Sequence, residues 1–261
     1  MSNTTQEMSS KFHPLPCMFT IASLFCGFYS IVAAIKGDFT TSAYAILIAA
    51  IFDGLDGRIA RLTGTTSTFG MELDSLCDLV SFGVAPGLLA YLWALQSFHR
   101  YGWLAGFLYV ATTALRLARF NCQHSGTSKH FVGLPCPAAA AMISATVLFC
   151  HRLGFEGTVN HISLLFLVYI LSYLMVSTHL YFSFKQPSSQ KRKTFRLLVG
   201  TLLLFILVAS EPDVMLFAIF AVYIASGPIF ALFRKARKIF KPKNLTESNQ
   251  QQSSRQDKEL S

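Results

Sequence analysis

Long stretches without charged residues constrain the fold of this chain more than any other feature. Leu15–Ile35 carries no charge and exceeds the roughly 7–15 apolar residues of a signal-peptide core. A helix needs about 20 mostly apolar residues to cross a bilayer. The other uncharged runs are Phe39–Phe52, Leu79–Phe98, Tyr101–Leu115, Phe131–His151, Thr158–Phe184, Leu197–Ser210 and Val214–Phe233. We therefore predict an all-α protein, a polytopic transmembrane bundle of about eight helices.

Two of these runs are too short to cross a bilayer without their neighbours. Phe39–Phe52 reaches the necessary length only if its helix continues through Asp53–Ala60. Leu197–Ser210 must similarly borrow residues from Thr194–Arg196. The second predicted helix therefore carries acidic residues at its end.

The composition agrees with a membrane protein and argues against other classes. Only 13% of residues are charged and 52% are hydrophobic, whereas soluble domains carry about 25% charged residues. The net charge is +9, and the positively charged residues lie in the connections between apolar runs. Anionic lipid headgroups are the natural partner of such residues. We expect membrane lipids and no nucleic acid. The six cysteines form no CxxC pair, so zinc and redox sites have no support.

The distribution of lysine and arginine predicts the orientation. If the N-terminus is cytoplasmic, all 22 of these residues except Lys36, Arg100 and Arg152 lie on the cytoplasmic side. This asymmetry follows the positive-inside rule and places both termini inside, as in a bacterial inner-membrane protein. We divide the chain into a polar cytoplasmic segment (1–13), a transmembrane domain (14–240) and a disordered cytoplasmic tail (241–261).

Four aspartates, two at the end of the second predicted helix and two in the helix that follows, are the candidate functional residues. Asp53 and Asp56 lie three residues apart, and Asp74 and Asp78 lie four apart, so each pair shares a helix face. The intervening segment, Leu62–Phe69, is rich in Thr, Ser and Gly, as expected for a turn. A helical hairpin would bring the four carboxylates together at the cytoplasmic border of the membrane.

Such a cluster favours divalent cations. Carboxylates repel one another strongly in a low dielectric, and hard oxygen ligands suit Mg²⁺, Mn²⁺ or Ca²⁺ better than zinc or copper. Two such ions can clamp a phosphoryl group during displacement. Helix capping and structural ion pairing are weaker explanations for four aspartates. The only other charged residues nearby are Arg58, Arg61 and Glu72, and only two of these are cations.

Small residues beside the aspartates allow two interpretations. They are Gly54, Gly57, Ala60 and Gly70. They could leave the helix faces bare for a nucleotide, with Arg61 pairing with a phosphate. Alternatively, they could serve close helix packing.

The spacing of these residues resembles a known family signature. The pattern D-G-x2-A-R-x8-G-x3-D-x3-D is matched by Asp56, Gly57, Ala60, Arg61, Gly70, Asp74 and Asp78. It is similar to the signature of the CDP-alcohol phosphatidyltransferase family. The resemblance implies a six-helix core with cytoplasm-facing chemistry, to which two C-terminal helices are added. It also implies a homodimer.

The resemblance further implies roles for individual residues. Asp53, Asp56 and Asp74 would hold two divalent cations, Mg²⁺ or Mn²⁺, and Asp78 would be both a ligand and the general base. The CDP-lipid would be held by Gly57, Ala60, Arg61, Ser67 and Gly70. The family motif P-N-x-x-T is matched at Pro16 and Thr20, but Cys17 replaces its Asn.

Other segments bear on the acceptor alcohol. ELDSLCDLVSFGVAPG (72–87), LRLARFN (115–121), GLPCPAAA (133–140) and VSTHLYFSFK (176–185) resemble the membrane-embedded phosphatidylserine synthases. This resemblance implies CDP-diacylglycerol and L-serine as substrates and CMP as a product. A serine carboxylate needs a cation, and the candidates for the serine site are Arg116, Arg119, Asn121 and Lys129.

Alternatives remain open on the sequence alone. Arg116 and Arg119 could simply anchor a helix on the positive side. The acceptor could be glycerol 3-phosphate, inositol or choline. A cation transporter could also use intramembrane aspartates, although the internal repeats common in transporters are not evident in this sequence.

Overall fold

The computed structural model describes residues 14–63, 68–123, 133–155, 161–177 and 211–239. The regular structure in these ranges is helical, which confirms the predicted all-α class for this part of the chain. The helices are α1 (Pro14–Ile35), α2 (Phe39–Thr63), α3 (Thr68–Asp78), α4 (Ala85–Ala90), α5 (His99–Gln123), α6 (Cys136–Arg152), α7 (Ile162–Val176) and α8 (Pro212–Ile239). The predicted terminal segments, 1–13 and 241–261, lie outside the described residues.

The described helices include fewer long apolar segments than the eight predicted. By length and composition, the three able to span a membrane are Cys17–Ile35, Phe39–Ile59 and Phe69–Cys122. The shorter apolar helices are Cys136–Arg152, Ile162–Val176 and Pro212–Pro228. The described ranges therefore contain six apolar helical segments, whereas eight membrane helices were predicted for the whole chain. Two predicted runs, Leu79–Phe98 and Tyr101–Leu115, fall in one continuous helical stretch, and Leu197–Ser210 lies outside the described residues.

That continuous stretch nevertheless reverses direction. α3 and α4 are joined by a π-helical segment, Leu79–Val84, and α4 leads through Tyr91–Leu95 (π-helical) and Gln96–Phe98 (3₁₀) to α5. His99 then adopts a positive φ of 46°. A Cβ at Gly102 would collide with the carbonyl of Leu95, and one at Gly83 would lie 3.2 Å from Cγ2 of Thr113. α5 therefore packs antiparallel to the helices that precede it.

Buried hydroxyl groups join α1 to its neighbours. The hydroxyls of Ser30 and Ser42 share a hydrogen bond of 2.8 Å, and Ser23 donates to the carbonyl of Ala49 at 3.1 Å. Their pairing shows that α1 and α2 are antiparallel. The start of α1 consequently lies beside the aspartate-bearing end of α2.

The π-helical segment after Asp78 packs against α1. Ser81, which is fully buried, donates a 3.1 Å hydrogen bond to the carbonyl of Ser23. A Cβ at Gly27 would lie 2.5 Å from Oγ of Ser81, so glycine is required for this approach. π-Helical turns frequently occur at functional sites, and this one begins directly after a predicted site residue.

The start of α8 packs on the core at the end of the bundle opposite the aspartates. Phe149 of α6 stacks on Phe217 with ring centroids 4.6 Å apart. Arg152 pairs with Glu211 at 3.1 Å, and Tyr44 of α2 donates to Asp213 at 3.1 Å. The C-terminal helix is therefore part of the bundle.

Candidate active site

The α2–α3 hairpin brings together carboxylates that are separated in sequence. One oxygen each of Asp53, Asp56 and Asp74 lies within 4.8 Å of the others. Asp53 and Asp56 occupy the last turns of α2, and Asp74 lies on α3. Asp56 is only 5% exposed. The predicted gathering of aspartates at a helical hairpin is thus present in the structure.

Asp78 lies beside this group. Its carboxyl contacts that of Asp53 and has Asp74 and Asp56 as electrostatic neighbours. Asp78 is the last residue of α3, and the π-helical segment begins at Leu79. The contact of that segment with α1 fixes the helix end that carries Asp78.

The donor atoms present suit a divalent cation. Oδ1 of Asp74 is buried and has no hydrogen-bond partner among the described residues. A buried acceptor without a partner is costly, and a hard cation satisfies carboxylate oxygens directly. The cluster could therefore hold a metal ion through Asp53, Asp56 and Asp74, with Asp78 adjacent.

Thr20 is a site residue to which the sequence analysis assigned no role. Its hydroxyl donates to Oδ2 of Asp56 at 3.0 Å, and both residues are buried. Because α1 and α2 are antiparallel, residues 36 positions apart meet at this end of the bundle. The match of Thr20 to the P-N-x-x-T motif was the available signal.

The small residues of the hairpin include one that faces open space. A Cβ added to Gly54 would meet nothing within 4 Å, so close packing does not explain this glycine within the described residues. Gly57 and Gly70 are half-buried on α2 and α3. Ala60 and Arg61 lie in the last turn of α2, and Ser67 lies outside the described residues.

The predicted acceptor residues of α5 diverge. Asn121 turns to α3, where its Nδ2 lies 3.0 Å from Oγ of Ser75 and 3.4 Å from Oε2 of Glu72. Arg119 is exposed, and Lys129 lies outside the described residues. Asn121 and Arg116 therefore contact different helices, whereas Arg119 is an electrostatic neighbour of Arg116.

Arg116 points into the bundle. Its Nη1 donates to the carbonyl of Met175 at 3.5 Å, and its guanidinium also hydrogen-bonds to Cys136. A Cβ at Gly133, which has a φ of 90°, would lie 2.9 Å from the same nitrogen. Arg116 is half-buried where α5 meets the start of α6 and the end of α7.

Comparison with known proteins identifies the class. The family model for CDP-alcohol phosphatidyltransferase matches residues 13–173. The chain belongs to this family, and it is an integral membrane protein.

Relatives within the family are named more specifically. A Helicobacter pylori (strain ATCC 700392 / 26695) CDP-diacylglycerol–serine O-phosphatidyltransferase is 38% identical over 227 residues, covering 86% of this chain and 94% of the relative. The Methanothermobacter thermautotrophicus archaetidylserine synthase is 37% identical over 171 residues, covering 65% and 70%. The Saccharomyces cerevisiae CDP-diacylglycerol–serine O-phosphatidyltransferase is 39% identical over 150 residues, covering 52% and 53%.

Proposed function

We propose that this chain is an enzyme that transfers a phosphatidyl group from CDP-diacylglycerol to L-serine and releases CMP. The observation that carries the chemistry is the gathering of Asp53, Asp56 and Asp74, with Asp78 in contact. The choice of serine is supported by relatives whose names specify a serine phosphatidyltransferase, one of them matching 86% of this chain.

Two divalent cations, Mg²⁺ or Mn²⁺, would be held by Asp53, Asp56, Asp74 and Asp78. When bound, they supply neutralisation of the diphosphate charge. The unpartnered Oδ1 of Asp74 supports this assignment. The hydroxyl of Thr20 orients the carboxylate of Asp56 as an outer partner of the ligand, and such partners commonly tune metal affinity.

Asp78 is the proposed general base. It takes the proton from the serine hydroxyl, whose oxygen forms a bond to the lipid-side phosphorus. The bond between this phosphorus and the bridging oxygen breaks, and CMP leaves with the electron pair. The rest of the site contributes positioning and charge complementarity.

The CDP moiety would lie against the hairpin, held by Gly57, Ala60, Arg61, Ser67 and Gly70. The open space beside Gly54 supports this placement, because a nucleotide could approach the backbone of α2 there.

Arg116 is the preferred partner for the serine carboxylate, because its guanidinium points into the bundle. Arg119 and Lys129 could add positive charge near this site. Asn121 is the weakest of these candidates, because its amide already contacts α3.

The family match supports the proposed division into core and additions. It ends at residue 173, near the end of α7, so α8 lies outside it. We propose a six-helix core followed by two C-terminal helices, with the aspartates facing the cytoplasm and the chain forming a homodimer.

The decisive experiment is an acceptor panel. Purified protein in nanodiscs receives CDP-diacylglycerol, Mg²⁺ or Mn²⁺, and one of serine, glycerol 3-phosphate, inositol or choline. We expect CMP release and a new phospholipid with serine. If CMP were released only with one of the other alcohols, that alcohol would be the acceptor. If no alcohol gave CMP release with either metal, the proposed enzymatic activity would be rejected.

A further inference from the structure

The C-terminal helix α8 reaches the predicted acceptor site although it lies beyond the family match. Tyr223 of α8 is half-buried and is an electrostatic neighbour of the Arg116 guanidinium. The next residue, Ile224, is 9% exposed and belongs to the hydrophobic core. The stacking of Phe217 on Phe149 fixes the same helix against α6. The packing of α8 at Phe217 and Ile224 therefore fixes the position of Tyr223.

Cys136 lies near both Arg116 and the proposed base. The thiol of this buried residue hydrogen-bonds to the guanidinium of Arg116. Asp78 is an electrostatic neighbour of the same thiol. The proposed base and the inward-facing cation therefore both lie near one small side chain. An acceptor between them could present its hydroxyl to Asp78 and its carboxylate to Arg116.

Tyr109 adds an independent observation at the same place. It is fully buried, and its hydroxyl has no hydrogen-bond partner among the described residues. Cys136 is an electrostatic neighbour of this hydroxyl. Buried tyrosine hydroxyls usually find a partner. A polar ligand beside Cys136 would provide one.

We propose that Asp78, Tyr109, Arg116, Cys136 and Tyr223 form the acceptor pocket, and that Tyr223 makes it favour an alcohol with an anionic group, such as a carboxylate, over an alcohol without one. This inference rests on the proposed function. A phenol hydroxyl and a guanidinium can both donate to one carboxylate. Inositol and choline carry no carboxylate and gain nothing from this pair. The helix outside the family match thus supplies acceptor specificity to a shared core.

The test is the kinetic behaviour of Tyr223→Phe, which removes the hydroxyl and keeps the ring. We expect KM for serine to rise about tenfold, the effect of losing one hydrogen bond to a charged group. KM for CDP-diacylglycerol, and kcat at saturating serine, should change less than about twofold, since transition-state contacts are kept. Val222→Ala is the matched control, because Val222 is 71% exposed on the same helix.

Tyr109→Phe is the second variant, and we expect it to raise KM for serine in the same direction. An unchanged KM for serine in Tyr223→Phe overturns the proposal, as does an equal rise in KM for both substrates, which a structural role would produce. If the wild-type chain releases CMP with serine and the variant behaves like Val222→Ala, this inference alone fails. A wild-type chain inactive with serine removes the proposed function as well.

Discussion

The aspartate cluster and the polar residues of α5 differ in how sequence spacing translates into position. The aspartates span Asp53 to Asp78 and two helices, yet three of their carboxylates lie within 4.8 Å of one another. Arg116 and Asn121 lie five residues apart on one helix, yet Arg116 points into the bundle and Asn121 contacts α3. Two residues that are close in sequence on one helix therefore need not belong to the same site.

The geometry of a helix explains this difference. Each residue turns the side chain by about 100°, so positions three or four apart share a face and positions five apart do not. Asp53 with Asp56, and Asp74 with Asp78, satisfy this rule, and their two faces meet in the structure. Arg116 and Asn121 violate it. The metal site can consequently be tested by removing single aspartates, and the acceptor site by comparing neighbours on α5.

The largest expected effect is that of Asp78→Asn. Loss of the general base should lower kcat by about 10³-fold, within the range for general acid–base catalysis. CMP release and binding of CDP-diacylglycerol would be measured on the same preparation. Glu72→Gln is the control, because Glu72 is an exposed carboxylate on the same helix. Full activity in Asp78→Asn would remove the proposed base.

Arg116→Lys should have the next largest effect, and it separates recognition from anchoring. Lysine keeps the positive charge but loses the planar fork that binds a carboxylate. We expect KM for serine to rise roughly thirtyfold, or about 2 kcal/mol. Arg119→Lys, at an exposed position three residues away, should leave KM unchanged. Equal behaviour of the two variants would favour the anchoring alternative.

The sequence predicted the features of the fold that depend on local spacing and missed those that depend on packing between distant residues. Helix periodicity and run length predicted α1, α2 and the aspartate hairpin, because these depend on local spacing. They could not predict that Leu79–Phe98 and Tyr101–Leu115 form one continuous helical stretch. They also could not predict how this stretch reverses direction, which depends on the close approach of Gly102 to Leu95.

The same limit applies to the candidate site. The sequence predicted the aspartates but not the hydroxyl of Thr20 on Asp56, because that contact requires the antiparallel pairing of α1 with α2. It likewise offered no sign that Tyr223 of α8 would approach Arg116, which depends on how α8 packs against α6.

Thr20→Val should have a smaller effect, confined to the metal. It keeps the shape of the side chain and removes the donor to Asp56. We expect the concentration of Mn²⁺ required for half-maximal activity to rise about tenfold, at the low end for outer partners of metal ligands. KM for serine should not change. Ser30→Ala, in the same α1–α2 interface but distant from the aspartates, is the control. A normal metal requirement in Thr20→Val would show that this hydrogen bond only joins helices.

Asn121→Ala should have the smallest effect on the reaction. The Asn121 amide contacts Ser75 and Glu72 of α3. Its loss should weaken the packing of α5 on α3 without removing a contact to the acceptor alcohol. We expect KM for serine to stay within about twofold and the free energy of unfolding to fall by about 1 kcal/mol, the usual net value of such a hydrogen bond. Ser75→Ala should give a similar loss, and the double variant should be less than additive because the two residues are partners. A large rise in KM for serine would instead return Asn121 to the acceptor site and show that spacing on α5 was a better guide than the direction of this side chain.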